Sequence, residues 1–154
     1  ARPTHQLAGV FSAVVMELYP PTLALLGRTR AWVVHGIAEG APLDEISISG
    51  PTHLRVLDRG TVSADDFDTA DHGIAAADVA ALIGGDADAN ATLLTGILDG
   101  SVTGPPRDIV LANAAGALCA AALAPDFGSA LELAERTLDD RKPLAVLRAM
   151  QRSS

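Results

Sequence analysis

Three pairs of adjacent acidic residues are the first candidates for chemistry in this sequence: Asp44-Glu45, Asp65-Asp66 and Asp139-Asp140. A chain with 19 acidic residues among 154 produces such pairs by chance, so adjacency alone predicts nothing. Asp44-Glu45 differs from the other two pairs because it follows a loop punctuated by Gly and Pro and precedes an apolar segment. In open α/β sheets, the loops at strand ends are where ligands bind.

Two carboxylates in such a loop are suited to Mg²⁺. This hard cation accepts one or two carboxylates and completes its coordination with waters and substrate phosphates. Adjacent side chains of a regular strand point to opposite faces, so Asp44 and Glu45 reach one ion only from a loop or a strand end. Asp44 and Glu45 are therefore the predicted metal ligands of this chain.

Other residues of chemical interest favour structural roles. The turn Gly84-Gly85-Asp86 could present backbone donors to a phosphate, but Asp86 would place a negative charge there, so we predict a helix N-cap. The histidines lack metal-ligand spacing, and His35 is expected to be a hydrogen-bonded structural residue. The lone Cys119 lies among alanines and is expected to be a small buried hydrophobe.

Composition sets the broad class. An apolar fraction of 49% with only 3% aromatics predicts a core of Ala, Val, Leu and Ile, which suits helices packed closely on a sheet. The net charge of −8 argues against a nucleic-acid partner. No apolar run is long enough to span a membrane, so a membrane is not expected as a partner. No targeting motif is present, so a cytoplasmic setting is expected.

The elements alternate between strand and helix, which is typical of βαβ units. We predict strands at residues 6–11, 30–35 and 44–49, a turn at Gly36, a loop at 37–42, and a hairpin of 52–57 with 61–62 around Asp58-Arg59-Gly60, followed by a polar loop. The predicted fold is α/β, with a mostly parallel sheet flanked by helices.

Helices are predicted throughout the remainder of the chain. The first follows Ser12, is interrupted by Pro20-Pro21, and resumes at 22–26. Later helices are predicted at 76–83, 87–98, 105–123, from Asp126 or Ser129 to 138, and from Lys142-Pro143 onward. No repeat or linker divides residues 1–154, so a single domain is expected.

Short segments that carry a family resemblance follow one another along the chain: Ala1-Arg2-Pro3, residues 6–12, Val33-Val34-His35-Gly36, residues 43–47, Gly50-Pro51-Thr52, Gly84-Gly85-Asp86, Asn90-Ala91, residues 97–100, Arg107-Asp108, and residues 111–118 with Asn113-Ala114-Ala115. Each segment alone is weak evidence for a family, but the ordered set resembles the anthranilate phosphoribosyltransferases over nearly the whole chain. The resemblance is to the C-terminal half of that family's α/β domain, which has the fold of the nucleoside phosphorylase type. The family places its proline differently from Pro20-Pro21.

The resemblance implies a reaction. It is the transfer of the phosphoribosyl group of 5-phosphoribosyl 1-diphosphate to anthranilate in tryptophan biosynthesis, with Mg²⁺ bound by the family's acidic pair, which matches Asp44 and Glu45. The family's glycine-rich diphosphate loop, serine metal ligand, anthranilate-binding residues and N-terminal helical domain all belong upstream of Ala1. The chain is therefore expected to be a C-terminal fragment, inactive alone, whose partners are the N-terminal half and a second copy of the parent enzyme.

Two other interpretations remain open at this point. A pyrimidine nucleoside phosphorylase of similar fold would use phosphate rather than the diphosphate donor, and a requirement for magnesium distinguishes the two. A non-catalytic paralogue that binds nucleic acid is the other alternative, and the acidic charge counts against it.

Overall fold

The structure, a computed structural model, describes residues 3–152, so Ala1 and Arg2 of the first resembling segment lie outside the described residues. The elements in chain order are β1 (His5–Gly9), α1 (Ala13–Leu25), β2 (Arg30–Ala38), β3 (Ala41–Leu43), β4 (Thr52–Asp58), β5 (Thr61–Phe67), α2 (Ala87–Asp99), α3 (Pro105–Ala120), α4 (Phe127–Asp139) and α5 (Lys142–Gln151). Short 3-10 helices lie at Thr69–His72 and Val79–Leu82.

The sheet is mixed, whereas the sequence predicted a mostly parallel one. Its strand order is β1-β2-β4-β5, and β3 also pairs with β2. β1 and β2 are parallel and are joined through helix α1, while β2 pairs antiparallel with β3 and β4, and β4 with β5. The tight β2–β3 and β4–β5 connections explain the difference, because a two-residue turn can join only antiparallel strands.

Two hairpin turns have residues with positive φ. The predicted β4–β5 hairpin is confirmed, with Arg59 at φ 46° and Gly60 at φ 89°. The β2–β3 hairpin was not predicted: its turn is Glu39-Gly40, at φ 51° and 80°, and the predicted turn residue Gly36 lies inside β2 instead. The predicted loop 37–42 was therefore wrong, because β2 runs on to this turn.

Strand β5 is longer than the predicted 61–62. It extends to Phe67 through residues that are almost all exposed and that show no alternation of apolar and polar side chains. Backbone pairing with β4 over the full length of β5 forms this strand, from Asp58 opposite Thr61 to Thr52 opposite Phe67. A sequence pattern does not report such pairing, so the segment was predicted as a polar loop.

Helix α1 is continuous, so the predicted break at Pro20-Pro21 was wrong. The two prolines lack the N–H groups that would bond the preceding turn. Pro20 is fully buried against the sheet, and Met16 and Leu23 are buried on the same side. Packing of this face therefore outweighs the missing donors, as is usual for helices in folded proteins.

The four C-terminal helices match their predicted positions closely. Asp86 caps α2 by accepting from the Ala89 amide at 2.9 Å, as expected for an N-cap. Helix α3 ends at Ala120 rather than near residue 123, because Ala122 adopts a left-handed conformation with φ 57°. The helix predicted at 76–83 is reduced to the 3-10 turn at Val79–Leu82.

Helices cover both faces of the sheet. Helix α3 packs on β1 and β2 through Ala112 and Ala115, which have no exposed surface, and these residues share a core with Val34 of β2. On the other face, α1 packs on Val33 and Leu57. The core of small aliphatic residues is as predicted, and no helix in the described range is long and apolar enough to cross a membrane.

Cys119 should be unreactive in the folded chain. Only 4% of it is exposed, and burial is the main reason that the pKa of its thiol rises from 9.0 to about 11. Since the thiolate is the nucleophile, this rise lowers the reactive fraction about 100-fold at pH 8. Mass spectrometry after iodoacetamide treatment at pH 8 should show labelling in urea and almost none without it. Equal labelling in both conditions would contradict the buried position.

Candidate functional site

The predicted metal ligands lie at the carboxyl end of the parallel strand pair. Strands β1 and β3 pair with the same edge of β2, β1 along residues 30–34 and β3 along residues 36–38. After β3 the chain bends at Asp44 and Glu45. A Cβ atom built on Gly9, the last residue of β1, would overlap the carbonyl oxygen of Asp44. The carboxyl ends of parallel strands are where sheets of this class bind ligands.

Residues 44–48, here named the acid-pair loop, do not form the predicted strand. Asn113 accepts from the Ile46 amide at 2.9 Å and donates to the Ile46 carbonyl at 3.1 Å. Thr52 accepts from the Ser47 amide at 3.0 Å, and Thr69 donates to the Ser47 carbonyl at 3.1 Å. The backbone of the acid-pair loop is thus satisfied by side chains instead of by a neighbouring strand, which the apolar pattern alone could not reveal.

Glycines let the acid-pair loop lie close to the sheet and to α3. A Cβ on Gly36 would overlap the Glu45 carbonyl oxygen, and one on Gly116 would overlap the Ile46 side chain. Ile46 and Ser47 have no exposed surface, and Ile48 has 1%. The acidic pair is therefore joined to three consecutive residues whose positions are fixed by packing.

The two carboxylates have different surroundings. Asp44 is exposed and Glu45 is half-buried. Burial and, to a smaller extent, the negative charge of Asp44 raise the pKa of Glu45 above its ordinary value. Glu45 also borders a cavity of about 210 Å³ with apolar residues of β2, the 3-10 turn and α3.

These surroundings fit Mg²⁺. Burial is the main reason that the pKa of Glu45 is raised, and the charge of Asp44 adds to it; a bound cation would offset both by favouring the charged carboxylates. No group of three or more His, Cys, Asp or Glu side chains within residues 3–152 is arranged to hold a metal. Within the described residues, Asp44 and Glu45 thus offer the oxygen ligands of one carboxylate pair. Such a pair suits a Mg²⁺ site that substrate phosphates complete, rather than a site built from protein ligands alone.

The structure places the other two acid pairs away from this loop. Asp65 and Asp66 lie exposed on β5, and Asp66 contacts His53 at 3.0 Å. Asp139 pairs with Arg107 at 2.9 Å, and Asp140 pairs with Lys142 at 2.7 Å. Three of these four carboxylates thus contact a basic side chain.

His35 has the structural hydrogen bond expected of it. It is buried, with 6% exposed, and its Nδ1 donates to the Val10 carbonyl at 2.8 Å. Its ring stacks on that of His53 at a centroid distance of 6.1 Å. His35 thereby joins the end of β2 to the segment between β1 and α1.

Sequence reasoning assigned no role to Asn113, although this residue contacts the acidic pair directly. Its side-chain nitrogen lies 3.3 Å from Glu45 Oε2. The available signal was an asparagine in the middle of a predicted helix, where this residue type is unfavourable unless its side chain has a partner.

Comparisons with known proteins give a consistent result. The family model described as "Glycosyl transferase family, a/b domain" matches residues 1–143. Anthranilate phosphoribosyltransferase of Moorella thermoacetica is 42% identical over 145 residues, which cover 94% of this chain and 42% of the relative. The protein of the same name from Anaeromyxobacter sp. strain K is 43% identical over 88% of this chain and 39% of its own length. The chain spans about two fifths of the length of these relatives.

Solved structures agree with the fold. Anthranilate phosphoribosyltransferase from Thermus thermophilus superimposes with a TM-score of 0.77 at 31% identity, over 92% of this chain and 40% of that one. The Saccharomyces cerevisiae enzyme in complex with PRPP and Mg has a TM-score of 0.83 at 21% identity, over 94% of this chain and 41% of that one. These matches confirm the α/β class and the family resemblance.

Substitution of Gly9 by alanine should displace the acid-pair loop, because the added Cβ overlaps the backbone of Asp44. We expect Gly9→Ala to lower the free energy of unfolding by about 1–3 kcal/mol, the range for overpacking. The matched control is Gly128→Ala, since a Cβ there meets no atom closer than 3.5 Å. Urea unfolding followed by circular dichroism measures both, and equal stability of the two variants would contradict the close approach at Gly9.

Proposed function

This chain belongs to the glycosyl transferase family, whose a/b domain model matches residues 1–143, and on that premise we propose that it is the C-terminal portion of an anthranilate phosphoribosyltransferase. The proposed reaction transfers the phosphoribosyl group of 5-phosphoribosyl 1-diphosphate to the amino nitrogen of anthranilate, in tryptophan biosynthesis. The observation that carries the proposal is the acid-pair loop at the carboxyl end of β1, in a chain about 40% identical to enzymes of that name.

In the proposed reaction the bond from the ribose C1 to the diphosphate oxygen breaks, and its electron pair leaves with the diphosphate. A bond from C1 to the anthranilate nitrogen forms, and the amine releases a proton to the solvent. Asp44 and Glu45 are the residues that would hold Mg²⁺. When bound, Mg²⁺ supplies positive charge that neutralises the charge developing on the leaving diphosphate. The proposed contribution of this chain is to hold the backbone that carries both carboxylates by packing and side-chain hydrogen bonds, so that little ordering is needed when the donor binds.

We also propose that the rest of the active site comes from an N-terminal portion that packs against this chain. Helix α1 is apolar on both sides, since its outer face exposes Val14, Leu18 and Leu25 at 71%, 62% and 90%. A surface helix normally has a polar outer face. β1 has a neighbour on only one side within residues 3–152, which leaves an edge available for pairing. The parent enzyme would dimerise through its N-terminal helical domain.

A pyrimidine nucleoside phosphorylase and a nucleic-acid-binding paralogue are less well supported. Phosphorolysis uses inorganic phosphate as acceptor and has no diphosphate leaving group for the acidic pair to serve through a metal. The net charge of −8 opposes binding to a phosphate backbone.

Residues 1–154 alone should give no detectable phosphoribosylanthranilate, since the remaining substrate contacts lie elsewhere in the proposed enzyme. Activity should appear when the N-terminal portion is supplied as a second polypeptide or in one complete chain. The assay is formation of the fluorescent product from anthranilate and 5-phosphoribosyl 1-diphosphate with Mg²⁺. Turnover by the 154-residue chain alone would show that the division of the site is wrong.

In the complete enzyme, Asp44→Asn and Glu45→Gln should each lower kcat/KM about 10²- to 10³-fold, the usual cost of losing one preorganised contact to developing charge. Both substitutions keep the size of the side chain, so folding should change little. Asp65→Asn is the matched control, because Asp65 is an exposed member of an acid pair on β5. Steady-state rates across a magnesium titration measure the effect, and unchanged rates for both variants would remove the acidic pair from the mechanism.

A further inference from the structure

We propose that Asn113 is a positioning residue that holds Glu45 and the backbone of Ile46 in the arrangement that binds magnesium. This inference rests on the proposed function, because it concerns the same metal-binding loop. It adds a residue on a different element, helix α3, to the two carboxylates on the acid-pair loop.

Asn113 uses its whole side-chain amide on the acid-pair loop and its own helix. Oδ1 accepts from the Ile46 amide at 2.9 Å, and Nδ2 donates toward the Ile46 carbonyl at 3.1 Å. Nδ2 also lies 3.0 Å from the Ile109 carbonyl and 3.3 Å from Glu45 Oε2. The Ile46 amide can only donate, so Oδ1 must face it. The two hydrogens of Nδ2 are then shared among three acceptors, of which Glu45 Oε2 is the most distant.

The contact with Glu45 bears on metal binding because this carboxylate is the more constrained of the two. Glu45 is half-buried while Asp44 is exposed. The neutral Asn113 Nδ2 donor, 3.3 Å from Oε2, orients the Glu45 carboxylate without adding a positive charge that would compete with a cation. In metal sites, partners that orient a ligand typically change affinity 10- to 100-fold when removed.

A second asparagine makes the same kind of backbone contacts, but no contact with a carboxylate accompanies them in the described residues. Asn90 of α2 accepts from the Gly85 amide at 2.8 Å and donates to the Gly85 carbonyl at 2.9 Å. Asn113 and Asn90 thus both fasten a loop to a helix through one residue's amide and carbonyl. Asn90→Ala therefore controls for loss of a loop-fastening amide.

The experiment is a calorimetric titration of the complete enzyme with magnesium, with 5-phosphoribosyl 1-diphosphate present and anthranilate absent. Asn113→Ala should weaken magnesium binding about 10- to 100-fold, whereas Asn90→Ala should leave it within twofold of the unaltered enzyme. In the activity assay, the Mg²⁺ concentration for half-maximal rate should rise by the same factor for Asn113→Ala, and the rate at saturating Mg²⁺ should be largely recovered. A loss of folding alone would lower the rate at every Mg²⁺ concentration.

A second variant, Glu45→Asp, tests the Asn113–Glu45 contact in a double-mutant cycle with Asn113→Ala, and circular dichroism checks that each variant is folded. Glu45→Asp keeps the charge but withdraws the carboxylate from Asn113 Nδ2 by one methylene, so it should also weaken magnesium binding. The double variant should lose less magnesium affinity than the product of the losses in the two single variants. Independent, multiplicative losses, or unchanged affinity in Asn113→Ala, would overturn the positioning role. If Asp44→Asn and Glu45→Gln also leave magnesium binding unchanged, the proposed function fails as well. If those two variants abolish binding and Asn113→Ala does not, only the role of Asn113 is wrong.

Discussion

The structure of the site depends on how the backbone of Ile46 and Ser47 finds hydrogen-bond partners. Both residues are fully buried, and buried amides and carbonyls must be paired. Pairing with a strand would have imposed the alternation that sends adjacent side chains to opposite faces. Side chains of Asn113, Thr52 and Thr69 supply the bonds instead. The loop can therefore bend at Asp44 and Glu45 while the next residues enter the core.

Close approach is the second constraint, and it connects the loop to the sheet. Gly9 ends β1, Gly36 lies in β2 and Gly116 lies in α3, and a Cβ at any of them would meet the acid-pair loop. The three glycines come from three elements of the βαβ unit and its covering helix, so the loop position follows from the packing of the whole sheet. A small-residue core serves the same end, since Ala112 and Ala115 bring α3 near enough for Asn113 to reach Ile46.

Much of this arrangement was predictable from the sequence, and the failures have physical causes. The α/β class, the four C-terminal helices, the Asp86 cap and the β4–β5 turn follow from local signals that the structure confirms. The mixed sheet, the β2–β3 hairpin and the continuous α1 depend on tertiary pairing and packing, which local patterns do not report. Asp44 and Glu45 lie in a bend after β3, and the strand predicted at residues 44–49 was wrong because the hydrogen-bond partners of this backbone are side chains distant in sequence. The mid-helix position of Asn113 indicates that its side chain has a partner, but that partner could be identified only once α3 was placed beside the loop.

The acid-pair loop is held by contacts within the described chain, whereas the apolar outer face of α1 is left uncovered there. Within residues 3–152, the acid-pair loop is held by β1, β2, β4, α3 and the 3-10 turn containing Thr69. The outer face of α1 instead exposes large apolar side chains, and this is costly in water unless another surface covers them. In the proposed enzyme, a loop held in this way would need little further ordering before it binds a metal–diphosphate group. The surface that covers α1 would then bring the other proposed substrate contacts toward a loop whose backbone is already held by the sheet and α3.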